Sequence, residues 1–310
     1  MQDLNDLAYF VAVADHGGFA AAGRALDIPK SKLSRRIAML EARLGVRLIQ
    51  RTTRRFAVTD TGKDFLQHCR AMLVEAEAAE AVVAEQSSMP RGTVRLSCPP
   101  ALMQYAVGDM LADILNGWPL IKLHVQATNR HVDVWESGVD LALRVRAPDS
   151  PLPAEETVKP LAISPHLLVV APQLLSNTAP PSAPEDLNRL PTVGLGNAPS
   201  ENIWTLTSPT GTTVRHTHQP RLVVDDMAAL KQAVCRGVGC AELPRMMVHD
   251  ELAAGTLLPL LPDWQASIGV IQAAFATRRG MRPAVRQVLD ALGAAFLTLA
   301  EEGRCLKVPA

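Results

Sequence analysis

The chain has 310 residues, 48% of them hydrophobic, 4% aromatic and 20% charged, with 31 basic side chains balancing 31 acidic ones. That length holds two or three compact units with aliphatic cores, and the composition is that of an ordinary globular protein, neither disordered nor uniformly basic. No run of about eighteen uncharged apolar residues argues for a membrane span, and Asp3 and Asp6 sit where an export signal would need bases and an apolar stretch, so a cytoplasmic location with reduced thiols is expected for the five scattered cysteines.

Leu4, Leu7, Ala8, Val11 and Ala14 predict a first amphipathic helix, closed by Gly17-Gly18. Phe19 to Leu26 reads as a short, alanine-rich helix that another helix can cross closely. A turn containing Asp27 and Pro29 follows, and then Leu33, Ile37, Leu40 and Leu44 recur at helical spacing and form one apolar stripe. The opposite face carries Ser31, Lys32 and Arg35 with the small Ala38 and Ala42, a slim cationic surface that fits a major groove. Two helices around a three- to four-residue turn make the helix-turn-helix order. Beyond Gly45, two β-prone runs flank the basic tip Arg51-Thr52-Thr53-Arg54-Arg55 and read as a wing. Between residues 20 and 55 ten bases face two acids, Asp27 and Glu41. So concentrated a positive charge in a neutral chain is the footprint of nucleic-acid binding.

The spacing from Phe10-Val11-Ala12-Val13-Ala14 through Phe19–Leu26, Ser34-Arg35-Arg36-Ile37, Leu40-Glu41, Leu44-Gly45-Val46-Arg47-Leu48, Arg51 to Arg55, Val58-Thr59 and Gly62 resembles the LysR-type transcriptional regulators. The match fixes about sixty residues and departs at Gly18, where the family usually has a capping serine, and at Ile49, where phenylalanine is common. It implies a bacterial regulator that binds promoter duplex DNA and is modulated by a small-molecule effector. It also implies a homodimer through the next helix, commonly a homotetramer, and contact with RNA polymerase in an activator.

That next helix is predicted from Thr59 or Thr61 to about Met89, ended by Pro90-Arg91-Gly92. Phe65, Cys69, Met72, Ala76, Ala79 and Val83 alternate in steps of four and three, a heptad seam suited to a partner helix. Folding back onto its own domain is the competing reading of the same stripe.

Past Gly92, strands are predicted at Thr93 to Ser97, Leu120 to Ala127, Asp140 to Val145 and His166 to Ala171, with helices at Met103 to Leu115 and Val132 to Ser137. A second unit has strands at Thr192 to Gly194, Ile203 to Thr207, Thr212 to His216 and Arg221 to Val224, and a helix from Met227 to Arg236 stopped by Gly237-Val238-Gly239. Ser267 to Thr277 is long enough to cross back to the first unit, and Pro283 to Glu301 closes the chain as a helix. The expected fold is therefore α+β and multidomain. A winged helix-turn-helix occupies 1–60, a dimerisation helix 61–90 and a two-lobed, periplasmic-binding-protein-like α/β half 91–310. Lobe I takes about 91–164 and 266–310, lobe II about 165–265.

The predicted contacts with DNA are Lys30, Ser31, Lys32, Ser34 and Arg35 in the groove and Arg51, Thr52, Arg54 and Arg55 from the wing. Ligands in open α/β sheets settle beyond strand carboxyl ends, which selects Ser97, Cys98 and Ala101, then Thr128 and Asn129, then Arg144 and Arg146. The second lobe adds Gly196, Asn197, Asp225 and Asp226. An arginine there suits an anionic or carboxylated ligand, although Asp140 or Asp149 could take either arginine as an ion pair, and either aspartate at 225 and 226 could be a helix cap. Cys98, placed at a strand end facing the cleft, is a candidate reactive thiol. His216 and His218 share one strand face and could chelate a metal, although a solvated face explains them as well. No nucleotide loop, dinucleotide fingerprint or Ser-His-Asp order stands out, so no cofactor is expected. An enzyme or solute-binding protein built on the α/β half is the rival reading, opposed by the basic face.

Overall fold

The computed structural model describes residues 4–51, 56–84, 89–135, 137–151, 156–176, 178–196, 202–276 and 281–309. They form two compact units: Met1–Met89 with Trp135–Gly138 and Thr277–Pro283, and the remainder of the chain.

In the first unit, helices α1 (Leu4–Asp15), α2 (Phe19–Leu26) and α3 (Lys30–Leu44) enclose Leu7, Phe10, Val13, Ala22, Leu33, Ile37 and Leu40. The α2–α3 turn is tight. A Cβ on Gly23 would sit 2.7 Å from the Ile28 carbonyl, so only glycine lets the chain return this closely. Asp27 ends α2 at φ 54, a left-handed conformation that aspartate tolerates. Strands β1 (Ile49–Arg51) and β2 (Phe56–Val58) pair antiparallel, with Ile49 opposite Val58. Their approach is fixed from below by Glu41, a buried carboxylate that accepts the amides of Leu48 (2.9 Å) and Ile49 (3.0 Å). Arg36, counted above among the cationic residues, turns inward and pairs with Asp6 at 2.5 Å.

Helix α4 (Asp60–Ala84) is capped by Thr59, whose hydroxyl accepts the Gly62 amide at 2.9 Å, which decides between the two predicted caps. Its stripe does not behave as one seam. Leu66 and Cys69 are buried in the core of their own domain and Phe65 lies 5.8 Å from Phe10, whereas Met72 and Ala76 are exposed. The competing reading therefore holds for the first three turns, and the side chains of Ala79 and Val83 lie outside the described residues.

The second unit is built on a seven-stranded sheet of β3 (Gly92–Cys98), β4 (Ile121–Ala127), β5 (Leu141–Arg146), β6 (Thr157–Val170), β11 (Ala241–Pro244), β12 (Leu258–Leu260) and β13 (Ile268–Phe275). β3 is parallel to β4 and β5, and β13 runs antiparallel between β5 and β6. β6 makes the first crossing: residues 157–165 pair with β13, and His166 to Val170 pair with β11 and β12. Prediction recovered only the second half of this strand because Pro160 and Pro165 withhold ladder donors and read as breaks. The predicted helix at Val132 to Ser137 is absent among the described residues, which form an irregular segment around the buried Val132 and Val134. After β3, α5 (Pro100–Leu102), a π-turn at Met103–Val107 and α6 (Gly108–Gly117) run on as one helix. In lobe II, β7 (Val193–Leu195) and β10 (Leu222–Val224) pair in parallel, and β8 (Asn202–Thr207) and β9 (Thr213–His218) form a hairpin. Helices α7 (Met227–Cys235) and α8 (Arg245–Ala253) complete that lobe, and α9 (Pro283–Glu301) follows β13 as predicted.

Candidate functional site

Two surfaces carry the candidate residues. The first is the face of α3 opposite Leu33, Ile37 and Leu40. Lys30, Ser31, Lys32 and Arg35 are exposed there and Ser34 is half-buried. Arg51 ends β1, paired with Phe56; its side chain and residues Thr52, Arg54 and Arg55 lie outside the described residues. The exposed ammonium and guanidinium groups keep their hydration until a polyanion replaces it, which is what phosphate binding needs.

The second is a cavity of about 990 Å³ in the α/β unit, bounded by strand and helix ends from both lobes. Seven of the predicted residues line it: Ala101, Thr128, Asn129, Arg146, Gly196, Asp225 and Asp226. Ser97 and Arg144 line a smaller space of about 190 Å³ that shares Thr128, Asn129 and Arg146 with it. Asn197 lies outside the described residues.

The chemistry of several of these corrects expectation. Arg144 is an internal brace: its guanidinium makes a two-pronged pair with Glu156 (2.5 and 2.9 Å) and donates to the Val132 carbonyl at 2.6 Å. The ion pair anticipated with Asp140 or Asp149 exists, with a different partner. Arg146 keeps more of its capacity, donating one bond to the Pro151 carbonyl at 2.7 Å while half-buried at the cavity wall. Asp226 caps α7, accepting the Ala229 amide at 2.7 Å. Cys98 is not a cleft thiol. It is 1% exposed, its Sγ points to the Pro99 carbonyl at 3.5 Å, and burial pushes it up to about 12, so it has no thiolate character.

His216 and His218 do not form a solvated face. Both are buried against Trp204: His216 stacks on it at 5.8 Å between ring centres, and His218 lies tilted against it at 3.9 Å. Thr192 Oγ1 lies 2.8 Å from Nδ1 of His218. Burial, with His216 beside it, brings His218 down to about 4, so the imidazole is neutral. Among the described residues no group of three or more metal-ligating side chains exists.

The cavity floor holds residues that strand-end reasoning missed. His166 and Ser267 line it where β6 passes from β13 to β11, and both meet Glu242 of β11: His166 Nδ1 at 3.2 Å, the Ser267 amide at 3.1 Å and the Ser267 hydroxyl. Burial works to raise the Glu242 carboxyl, but these hydrogen bonds hold it below its ordinary value. Ser164, Met246, Met247 and Ile268 complete a floor that is apolar with a few polar points. The one signal available was Pro165-His166, a break inside a strand, and it pointed away from a site.

Comparison with known proteins decides what carries these two surfaces. Residues 4–63 match the model of the bacterial regulatory helix-turn-helix protein, lysR family, and residues 87–297 match the LysR substrate binding domain. The chain belongs to the LysR family of transcriptional regulators. It is 32% identical over 291 residues to the HTH-type transcriptional regulator PtxR of Pseudomonas aeruginosa, covering 94% of this chain and 92% of that one. An HTH-type transcriptional regulator of Xanthomonas campestris is 33% identical over 298 residues, covering 94% and 84%. Among solved structures, CrgA, a LysR-type regulator from Neisseria meningitidis, superposes with a TM-score of 0.60 at 24% identity, covering 96% of this chain and 99% of that one, which speaks to the fold. This LysR-type regulator thus joins a helix-turn-helix DNA-binding unit to an effector-binding α/β unit, and among its described residues no helix is long and apolar enough to cross a membrane.

Proposed function

We propose that the regulator works in the cytoplasm by binding, without catalysis, as a homodimer or homotetramer whose two reading helices meet the half-sites of an inverted repeat. Residues 1–60 serve as the DNA-binding domain, 61–90 as the dimerisation helix and 91–310 as the effector domain. Lys30, Ser31, Lys32, Ser34 and Arg35 enter the major groove, and Arg51, Thr52, Arg54 and Arg55 grip the backbone beside it. The observation that carries this reading is the two-sidedness of α3: one stripe is fully buried, and the other presents Lys32 and Arg35 to solvent.

The effector is a small molecule held between Ala101, Thr128, Asn129 and Arg146 of lobe I and Gly196, Asp225 and Asp226 of lobe II. Arg146 favours a carboxylate, and the methionine- and isoleucine-rich floor favours an apolar body. Such a ligand shifts DNA affinity only by its differential affinity for two arrangements of the protein. In an activator, RNA polymerase is the remaining partner.

Genome-wide capture of DNA fragments by the full chain tests the reading. Enrichment at a dyad beside one operon is expected, and no enrichment at moderate salt overturns it. Arg35→Ala should then weaken specific binding by about 1–3 kcal/mol while changing affinity for random duplex far less; an equal loss on both removes Arg35 from base reading.

A further inference from the structure

The reading face of α3 carries one large side chain that charge does not explain. Met39 is 57% exposed. Arg35 and Lys32 precede it at i−4 and i−7, so the three share one stripe of the helix. The other exposed positions of this helix are Lys30, Ser31, Ala42 and Arg43, and the buried stripe of Leu33, Ile37 and Leu40 lies on the far side. A single surface methionine on an ordinary face needs no account. This one lies one turn beyond Arg35 on the stripe assigned above to the groove, where an apolar side chain gains nothing from phosphate or from the hydrogen-bonding edges of bases.

The major groove offers one apolar group, the C5-methyl of thymine. Methionine is long, unbranched and polarisable, and so adapts to a methyl without a fixed rotamer. The flanking cations fix the helix in the groove, and the thioether then meets base edges. We propose that Met39 is a specificity-determining residue that packs on a thymine methyl in each half-site, so that this regulator reads an A·T pair by apolar contact. The proposal rests on the reading of α3 as the groove helix given above.

Duplexes that the full-length protein prefers are first selected from a random-sequence library. Each thymine of the selected site is then replaced singly by deoxyuridine, which removes only the methyl. One position per half-site should cost the wild type about fourfold in Kd, the equivalent of one CH2-sized group at roughly 0.8 kcal/mol. Met39→Ala, which removes the contact in both half-sites, should lose about the square of that factor, roughly sixteenfold, on the thymine duplex, lose nothing more at that deoxyuridine, and bind random duplex as the wild type does. Met39→Leu should keep the methyl preference. Full deoxyuridine sensitivity in Met39→Ala overturns the proposal, and so does an insensitive wild type. Arg35→Ala, measured alongside, separates the two layers: specific binding lost there with no methyl effect overturns the role of Met39 alone. A failure to select any preferred duplex, or no effect of either variant on selectivity, overturns the reading of α3 itself.

Discussion

Arg35 and Arg144 carry the same group and lie in environments of opposite kind. Arg35 projects from the solvent side of α3, where water and counterions surround it. Arg144 lies beneath the cleft wall with its guanidinium on Glu156 and the Val132 carbonyl, and the Glu156 side chain is only 3% exposed. An exposed cation is available for recognition; a buried one is committed to the fold because removing it strands its partner. The two regions divide along that line. The exposed face of α3 is an outward array of charge on a small apolar core, and the cleft is a mostly apolar floor in which the polar groups already hold one another.

Three changes put that contrast to the test. Arg144→Ala should have the largest effect, a loss of about 3–5 kcal/mol of unfolding free energy, because Glu156 is left charged and buried. Urea unfolding measures it, and Arg144→Met combined with Glu156→Leu should recover most of the loss. A loss near zero would mean that the pair is hydrated in solution and that Arg144 resembles Arg35 after all. Next is Glu41→Ala, which orphans the amides of Leu48 and Ile49 at the root of the wing. About 2–4 kcal/mol is expected, read most directly as lost hydrogen-exchange protection at those two amides. Smallest is a pH effect in lobe II. His218 is held near 4 in the fold against about 6.5 unfolded, so the unfolded chain binds the extra proton between those values. Stability should be full above pH 6.5 and fall as the pH drops from 6.5 towards 4, and His218→Gln should flatten that slope. His216, likewise lowered by burial, adds to this slope below pH 6.5, and Glu242, held below its ordinary value by its hydrogen bonds, adds a loss of its own at the acidic end of the window.

The elements most legible in the sequence were those with a strong period and a clear stop. α2 and α9 match their predicted bounds residue for residue. The cleft was half legible. Strand-end reasoning found Thr128, Asn129 and Arg146 because parallel strands deliver them there, and it missed His166, Glu242 and Ser267 because antiparallel crossing strands bring together residues 76 and 25 positions apart. Cys98 and the histidine pair failed for another reason. Alternation says which side chains share a face, and only packing says whether that face meets solvent, as Trp204 shows by covering His216 and His218.

α4 has a mechanical consequence. Its first turns are bolted to the winged domain by Phe65, Leu66 and Cys69, with Arg70 holding Asp15 at 2.5 Å. At 1.5 Å per residue, the stretch from Cys69 to Ala84 reaches roughly 22 Å beyond that anchorage. The helix is a lever whose fulcrum lies inside the DNA-binding unit. A tilt of about 10° across that length displaces its far end by about 4 Å, close to the rise of one base pair, about 3.4 Å. In the dimer proposed above, a tilt of that size is enough to put a reading helix out of step with its half-site.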